Sequence, residues 1–259
     1  MAAPMVLPLG SDEWLEHVFS TPPVDRLKGR TLYTQAHQPW DARTGRHIVL
    51  QGRNEYIPYL ILTYLQTLGT ITRFKAHPFA TSITDLGWEI RPDFIAQDAW
   101  QNRFVIEAKT ARFITGEVEL QLKANREGLQ KFNLQYLLWT NWSPMTHPVR
   151  HNLINMRRAA AEEVTVAEID RLVELATKTN DVTVEEAVAM GIDANAMFNA
   201  WWKGRIFLPL TQEMNLNSPI RLKATENLRE IFLSSAPLRD DWWHSLPASK
   251  AESGNQQCA

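Results

Sequence analysis

The sequence predicts an α/β protein, a helix, three strands, a helix and a strand, followed by a smaller helical unit in winged-helix order. Three observations predict it. Apolar runs of strand length, broken by turn residues, cluster between residues 71 and 140, with one helical stretch before them and another ahead of the last run. Beyond residue 160 strand-like runs give way to two capping patterns and glycine stops. The 259 residues are 44% hydrophobic and 22% charged, which excludes a disordered, collagen-like or coiled-coil chain.

Residues 1–50 contain Pro, Gly and His and are weakly periodic, an irregular arm with a short helix near 13–19. Asn54 is placed to cap a helix over 55–68 that stops at Gly69, with Pro58 in its first turn, where a missing N–H costs little. Strands are expected over 71–79, 87–96 and 102–110, with a hairpin loop at 97–101. Val118, Leu122 and Leu129 give helical spacing over 117–131, and the apolar run at 134–140 reads as a buried strand. Together these make a small α/β unit. Thr165-Val-Ala-Glu168 and Thr183-Val-Glu-Glu186 are capping-box patterns that open helices ending near 177 and at Gly191. A third helix is expected over 194–203, then paired short strands at 205–210 and 218–223, which completes the winged-helix order. The boundaries drawn are an arm at 1–24, the α/β domain at 25–158, the winged-helix-like domain at 159–233 and a tail at 234–259, polar and frayed over its last ten or so residues.

No run of 18 uncharged apolar residues occurs, so no membrane span is expected. The first ten residues lack the basic stretch of a signal peptide. The single cysteine, Cys258, can form neither an intrachain disulfide nor a zinc cluster, which fits a reducing, cytoplasmic setting. Charge is unevenly spread. Residues 21–160 hold 18 Lys/Arg against 11 Asp/Glu, and residues 161–259 hold 9 against 15. Chance variation aside, this suggests that only the first half faces a polyanion.

The central motif is Pro92-Asp93, a hairpin, then Glu107-Ala108-Lys109. Side chains alternate along a strand, so Glu107 and Lys109 share a face. A hairpin turning near 98–99 brings Asp93 within reach of Glu107. Two carboxylates on adjoining strands make a hard oxygen site suited to Mg²⁺, with the Ala108 carbonyl as a further ligand. Lys109 can stabilise charge on a scissile phosphate or orient the attacking water. Glu55 can supply a third carboxylate. These residues fit metal-assisted phosphodiester hydrolysis.

Glu55, Pro92-Asp93 and Glu107-Ala-Lys109 resemble the PD-(D/E)XK nuclease superfamily, and within it the TnsA-type endonuclease subunit of heteromeric transposases. The catalytic likeness covers about residues 25–140. Gly29-Arg30, Thr44-Gly45-Arg46 and Asn54-Glu55 look like that family's lead-in to its helical glutamate, and the winged-helix reading of 160–225 matches its second domain. The resemblance implies a restriction-endonuclease-like mixed sheet flanked by helices. It implies metal binding by Asp93 and Glu107, catalysis by Lys109 and completion of the site by Glu55. Mg²⁺ would be the cofactor, with Mn²⁺ able to substitute. It further implies cleavage of the 5′ strand at double-stranded transposon ends, with a DDE-type transposase subunit and an AAA+ ATPase regulator as partners, in a nucleoid-associated bacterial setting. Many TnsA-type proteins carry Gln where Glu107 stands, so this chain sits nearer the general nuclease pattern.

Each residue also has a plainer reading. Glu55 favours a helix dipole wherever it caps a first turn. Asp93 and Glu107 could pair with Arg91, Arg103 or Lys109, and Lys109 could be a solvated strand end. Arg73, Lys75, Lys123, Arg126 and Lys131 are candidates for the DNA backbone or simply solvated cations. His37, His47, His77, His147 and His151 lack zinc-ligand spacing. Trp201-Trp202 reads as core or interface, and Trp242-Trp243 as a docking segment of the tail. The third helix of the second domain has no Lys or Arg before Lys203, so that domain is expected to contact proteins rather than DNA. The alternatives are a stand-alone PD-(D/E)XK nuclease of restriction, repair or junction processing, and an inactive assembly module on the same fold.

Overall fold

A computed structural model describes residues 7–24, 36–37, 39–41, 46–82, 89–179 and 182–233. At its centre is a four-stranded mixed sheet: β1 (Ile71–Ala76), β2 (Phe94–Asp98), β3 (Arg103–Lys109) and β4 (Gln135–Thr140), in the order β4-β3-β2-β1. β1 and β3 run antiparallel to β2, and β4 runs parallel to β3. The one parallel step is crossed by a helix, as a parallel neighbour requires. Short two-residue pairs, Ala36–His37 with Leu50–Gln51, Trp40–Asp41 with Arg46–His47 and Thr81–Ser82 with Glu89–Ile90, lie outside this sheet. The expected strand over 87–96 is therefore two pieces, with residues 87 and 88 outside the described residues.

Alternation sends the two sides of the sheet into different cores. Phe74, Phe94, Ala96, Phe104, Ile106, Leu137 and Trp139 face helix α2 (Gly52–Thr67). That helix is apolar around most of its circumference, from Ile57 to Leu65, and is buried accordingly. Ile95, Val105, Tyr136 and Leu138 face α1 (Asp12–Ser20) and α3 (Gly116–Gln130), which present Trp14, Leu15, Val18, Leu122 and Leu129. Ser11 caps α1, its hydroxyl accepting from the Trp14 N–H at 3.1 Å. Asn54 does not cap α2. The helix starts two residues earlier, and the Asn54 amide donates to Thr110 Oγ1 at 2.7 Å, tying the start of α2 to the end of β3.

The rest is helical: α4 (His147–Ala159), α5 (Val166–Lys178), α6 (Val184–Ala189), α7 (Ala194–Trp202) and α8 (Leu228–Leu233). α4 and α8 have no counterpart in the sequence reading. The Thr183–Glu186 capping box forms in full, whereas the Thr165 hydroxyl donates to Glu168 at 2.6 Å without capping the backbone of α5. The expected strand pair near 205–223 shrinks to one bridge, Phe207 with Arg221, so this segment is a loop pinned at a single rung. α7 does not lie on the surface: every residue from Ala196 to Trp202 is buried. The expected boundary at 158–159 falls at the end of α4, which packs against both α2 and α7, and one hydrophobic cluster runs from Ile48 to Leu233. Gly29, Arg30, Thr44, Gly45 and Trp242-Trp243 lie outside the described residues. No helix among the described residues is long and apolar enough to cross a membrane.

Candidate active site

The hairpin of β2 and β3 pairs Phe94 with Ile106, so Asp93, just before β2, comes to the position across from Glu107. The Ala108 N–H lies past the start of β2 and takes the Asp93 carboxylate instead, N to Oδ2 2.8 Å. Glu107 and Lys109 project to the α3 side together, and Lys109 Nζ lies 2.6 Å from Glu107 Oε1. The Glu107 side chain is 13% exposed and that of Lys109 is 38% exposed, so the amine sits at the mouth and the acid inside. Asp93 is buried. Of the plainer ion pairs, Glu107 with Lys109 is present. Arg91 pairs with Glu89, and Arg103 turns to Asp12 and the Gly10 carbonyl.

Glu55 is buried at the start of α2, where its Oε2 lies 2.9 Å from His77 Nε2, the imidazole donating to the carboxylate. His77 follows β1 and holds a left-handed backbone, φ 46°. Its N–H donates to the Asp93 carbonyl at 2.8 Å. A non-glycine residue in that region is strained, and such strain collects where a side chain must be held. Here it aims one imidazole at Glu55 while its backbone fixes the Asp93 loop.

Tyr136 on β4 closes the interior of the site. Its phenol is buried, and Glu107 and Asp93 lie close enough to bear on its ionisation. Burial first, then those two charges, raise its pKa well above the ordinary 10, with the Asn125 amide acting weakly the other way. The hydroxyl therefore stays protonated.

Asp93 and Glu107 are hard oxygen donors on facing positions, both largely screened from water. That set fits a small divalent cation held by two carboxylates, a usual Mg²⁺ arrangement. It does not extend to three: among the described residues no group of three or more His, Cys, Asp or Glu is disposed as a common cation site, and Glu55 is turned to His77.

No protein-family model matches the chain, and neither does any curated protein. The chemistry therefore rests on the residues themselves.

The outlying cations divide. Lys75 is buried, its ammonium held by the Val18 and Thr21 carbonyls and the Thr21 hydroxyl, so it closes the end of α1 and is not presented to a phosphate. Arg73 pairs with Glu16 at 2.6 Å and lies over the Phe19 ring. Lys123 bridges to Glu119 at 3.2 Å along α3, and Arg126 is exposed on the same helix. His77 and Tyr136 are the residues that sequence reasoning missed. His77 carried one usable signal, its place in step with Arg73 and Lys75 along the strand and ahead of Pro78.

Proposed function

We propose that this chain is a metal-dependent DNA endonuclease of the PD-(D/E)XK kind, acting as the TnsA-type subunit that hydrolyses the 5′ strand at transposon ends. The observation that carries the reading is the hairpin that sets Asp93 across from Glu107 with Lys109 on the same face. The sheet order and the start of α2 beside the end of β3 support it. Asp93, Glu107 and the Ala108 carbonyl would hold Mg²⁺, or Mn²⁺ in its place, which supplies Lewis acidity and a more acidic bound water. The protein's own part is to hold both acids screened from water, and to place the Lys109 ammonium at the mouth where charge develops on a phosphoryl oxygen. Glu55 and His77 brace the Asp93 loop from the α2 side. Lys123 and Arg126 remain the cations suited to the duplex backbone, contacts that position DNA without reading its sequence.

Partner contacts follow from charge and burial. An acidic second half whose α7 is packed inward is poorly suited to phosphate and better suited to proteins, here the DDE-type transposase subunit and the AAA+ ATPase regulator. The test is cleavage of labelled transposon-end DNA with Mg²⁺ and the partner proteins. Asp93→Ala should lower the rate on the order of 10²–10³-fold while circular dichroism and partner binding stay unchanged. Undiminished cutting by that variant overturns the site. Cutting by the wild type without partners would assign a stand-alone nuclease instead.

A further inference from the structure

Among the described residues the exposed large aromatic side chains are Trp100, Phe113 and Trp142. Trp100 belongs to the β2–β3 turn, at the end of the sheet away from the carboxylates, and lies under the Arg229 guanidinium. Phe113 and Trp142 lie at the other end. β3 and β4 run parallel with Thr140 opposite Lys109, so the chain leaves both strands side by side, toward Phe113 in one case and Trp142 in the other. Both rings stand on fixed turns. The Ala111 N–H donates to Asn141 Oδ1 at 2.8 Å and ties one turn to the other. The Phe113 N–H donates to the Thr110 carbonyl at 2.9 Å, and the Trp142 N–H to Thr140 Oγ1 at 3.2 Å. These turns bury Ile114 and Met145, yet they leave Phe113 58% and Trp142 41% exposed. Cations accompany the rings. The exposed Arg112 guanidinium lies 4.7 Å from the centre of the Phe113 ring, and the Lys109 ammonium stands at the mouth of the carboxylate site.

Flat rings set among cations suit a nucleic-acid strand, in which every base has a π face and every link a phosphate. A base inside a duplex is covered on both faces by its neighbours, so only a base turned out of the stack can lie on a side chain. A protein partner would be met by an apolar patch, whereas these rings adjoin Arg112 and Lys109, which favours a polyanion. In the nuclease reading, on which this inference rests, the scissile phosphate comes to Lys109, and the nucleotides beside it come to the two turns. We propose that Phe113 and Trp142 form a stacking platform for unpaired bases next to the bond to be cut, with Arg112 on a neighbouring phosphate. The substrate is then a strand opened at the point of cleavage, not an intact duplex.

The test uses the full chain and a labelled single strand of DNA, followed by fluorescence anisotropy without Mg²⁺. An abasic strand of the same length, which keeps the phosphates, is the comparison. Leucine keeps an apolar side chain and removes the ring, so Phe113→Leu and Trp142→Leu should fold as the wild type does by circular dichroism. Each should weaken binding of the normal strand roughly fivefold or more, the low end for one base stacked on an aromatic ring, and shift the abasic strand less than about twofold. With Mg²⁺ and the partner proteins, an end mismatched at the cut should be cleaved faster than a fully paired one, and either variant should lose that preference. Equal binding by the wild type and both variants, or of the normal and abasic strands, overturns the proposal. So does loss of partner binding with strand binding intact, which makes this face a protein interface. If the wild type neither binds Mg²⁺ nor cuts, the nuclease reading fails and the platform has no bond to serve. If it does both and the leucine variants behave identically, only the platform fails.

Discussion

The Lys75 ammonium sits at the C-terminal end of α1, where the Val18 and Thr21 carbonyls and the negative end of the helix dipole receive it. Burial nonetheless lowers its pKa from the ordinary 10.5 to about 8. The linkage follows in sign. Below pH 8 the amine is protonated in both states and the folded protein bears the full desolvation penalty. Between pH 8 and 10.5 the folded protein releases a proton that the unfolded chain keeps, so stability attributable to Lys75 rises with pH and then levels off. Urea unfolding at pH 7, 9 and 10 should show this rise in the wild type and lose it in Lys75→Met. A falling or flat Lys75-dependent slope counts against burial as the ruling effect. In sequence, Lys75 looks like any cation on a basic strand, because what buries it is a helix more than fifty residues away. Asp93, Glu107 and Lys109 were legible, since strand alternation and one short hairpin are local rules. The Glu55–His77 pair and Tyr136 were not. They depend on β1 lying beside β2 and β4 beside β3, which no local periodicity states.

Among elements, the β2–β3 hairpin is pinned at the end of the sheet away from the carboxylates. Asp98 is fully buried. Its Oδ1 accepts from the Trp100 and Asn102 N–H groups at 2.9 and 2.8 Å, and its Oδ2 from the Asn102 amide at 2.8 Å and Arg229 at 3.0 Å. Arg229 on α8 also lies over the exposed Trp100 ring, 4.8 Å from its centre. One carboxylate therefore folds the turn and fastens the last described helix to it. Asp98→Ala strands two turn N–H groups and should destabilise by about 2–4 kcal/mol. Arg229→Ala removes a half-exposed partner and should cost about 1 kcal/mol or less. Chemical denaturation distinguishes the two, and equal losses would mean that the ion pair, not the turn, holds this corner. The same element scale explains α4. Val149, Leu153 and Met156 have helical spacing, but they are set among His, Asn and Arg, so the stripe is thin and shows only once α2 and α7 are in place to receive it.

For the molecule as a whole, the question is whether its two sequence halves unfold together. The packing joins them. Trp202 of α7 stacks on Tyr64 of α2 with ring centres 5.8 Å apart, Phe232 of α8 meets Trp139 of β4 at 6.3 Å, and Gly204 sits against Leu68 where a Cβ would approach to 2.7 Å. Gly204 is also left-handed, φ +66°, so the turn after α7 needs glycine for its conformation, while the Leu68 methyl it meets lies at the end of a flexible side chain. A chain built as two independent domains would bury its aromatic residues within each half. This one spends Trp202 and Phe232 on the other half's helix and sheet. Trp202→Ala should then destabilise by about 3–5 kcal/mol, as large aromatic truncations in a core do. The loss should appear at one midpoint by far-ultraviolet dichroism, which follows the helices, and by tryptophan fluorescence, which follows the core. Coincident transitions are the mark of one cooperative unit. Should the helical signal of Trp202→Ala melt first and leave the sheet native, the acidic half is a separate domain that merely rests on the half carrying the four-stranded sheet, and partner binding to it would be free to leave the carboxylate site undisturbed.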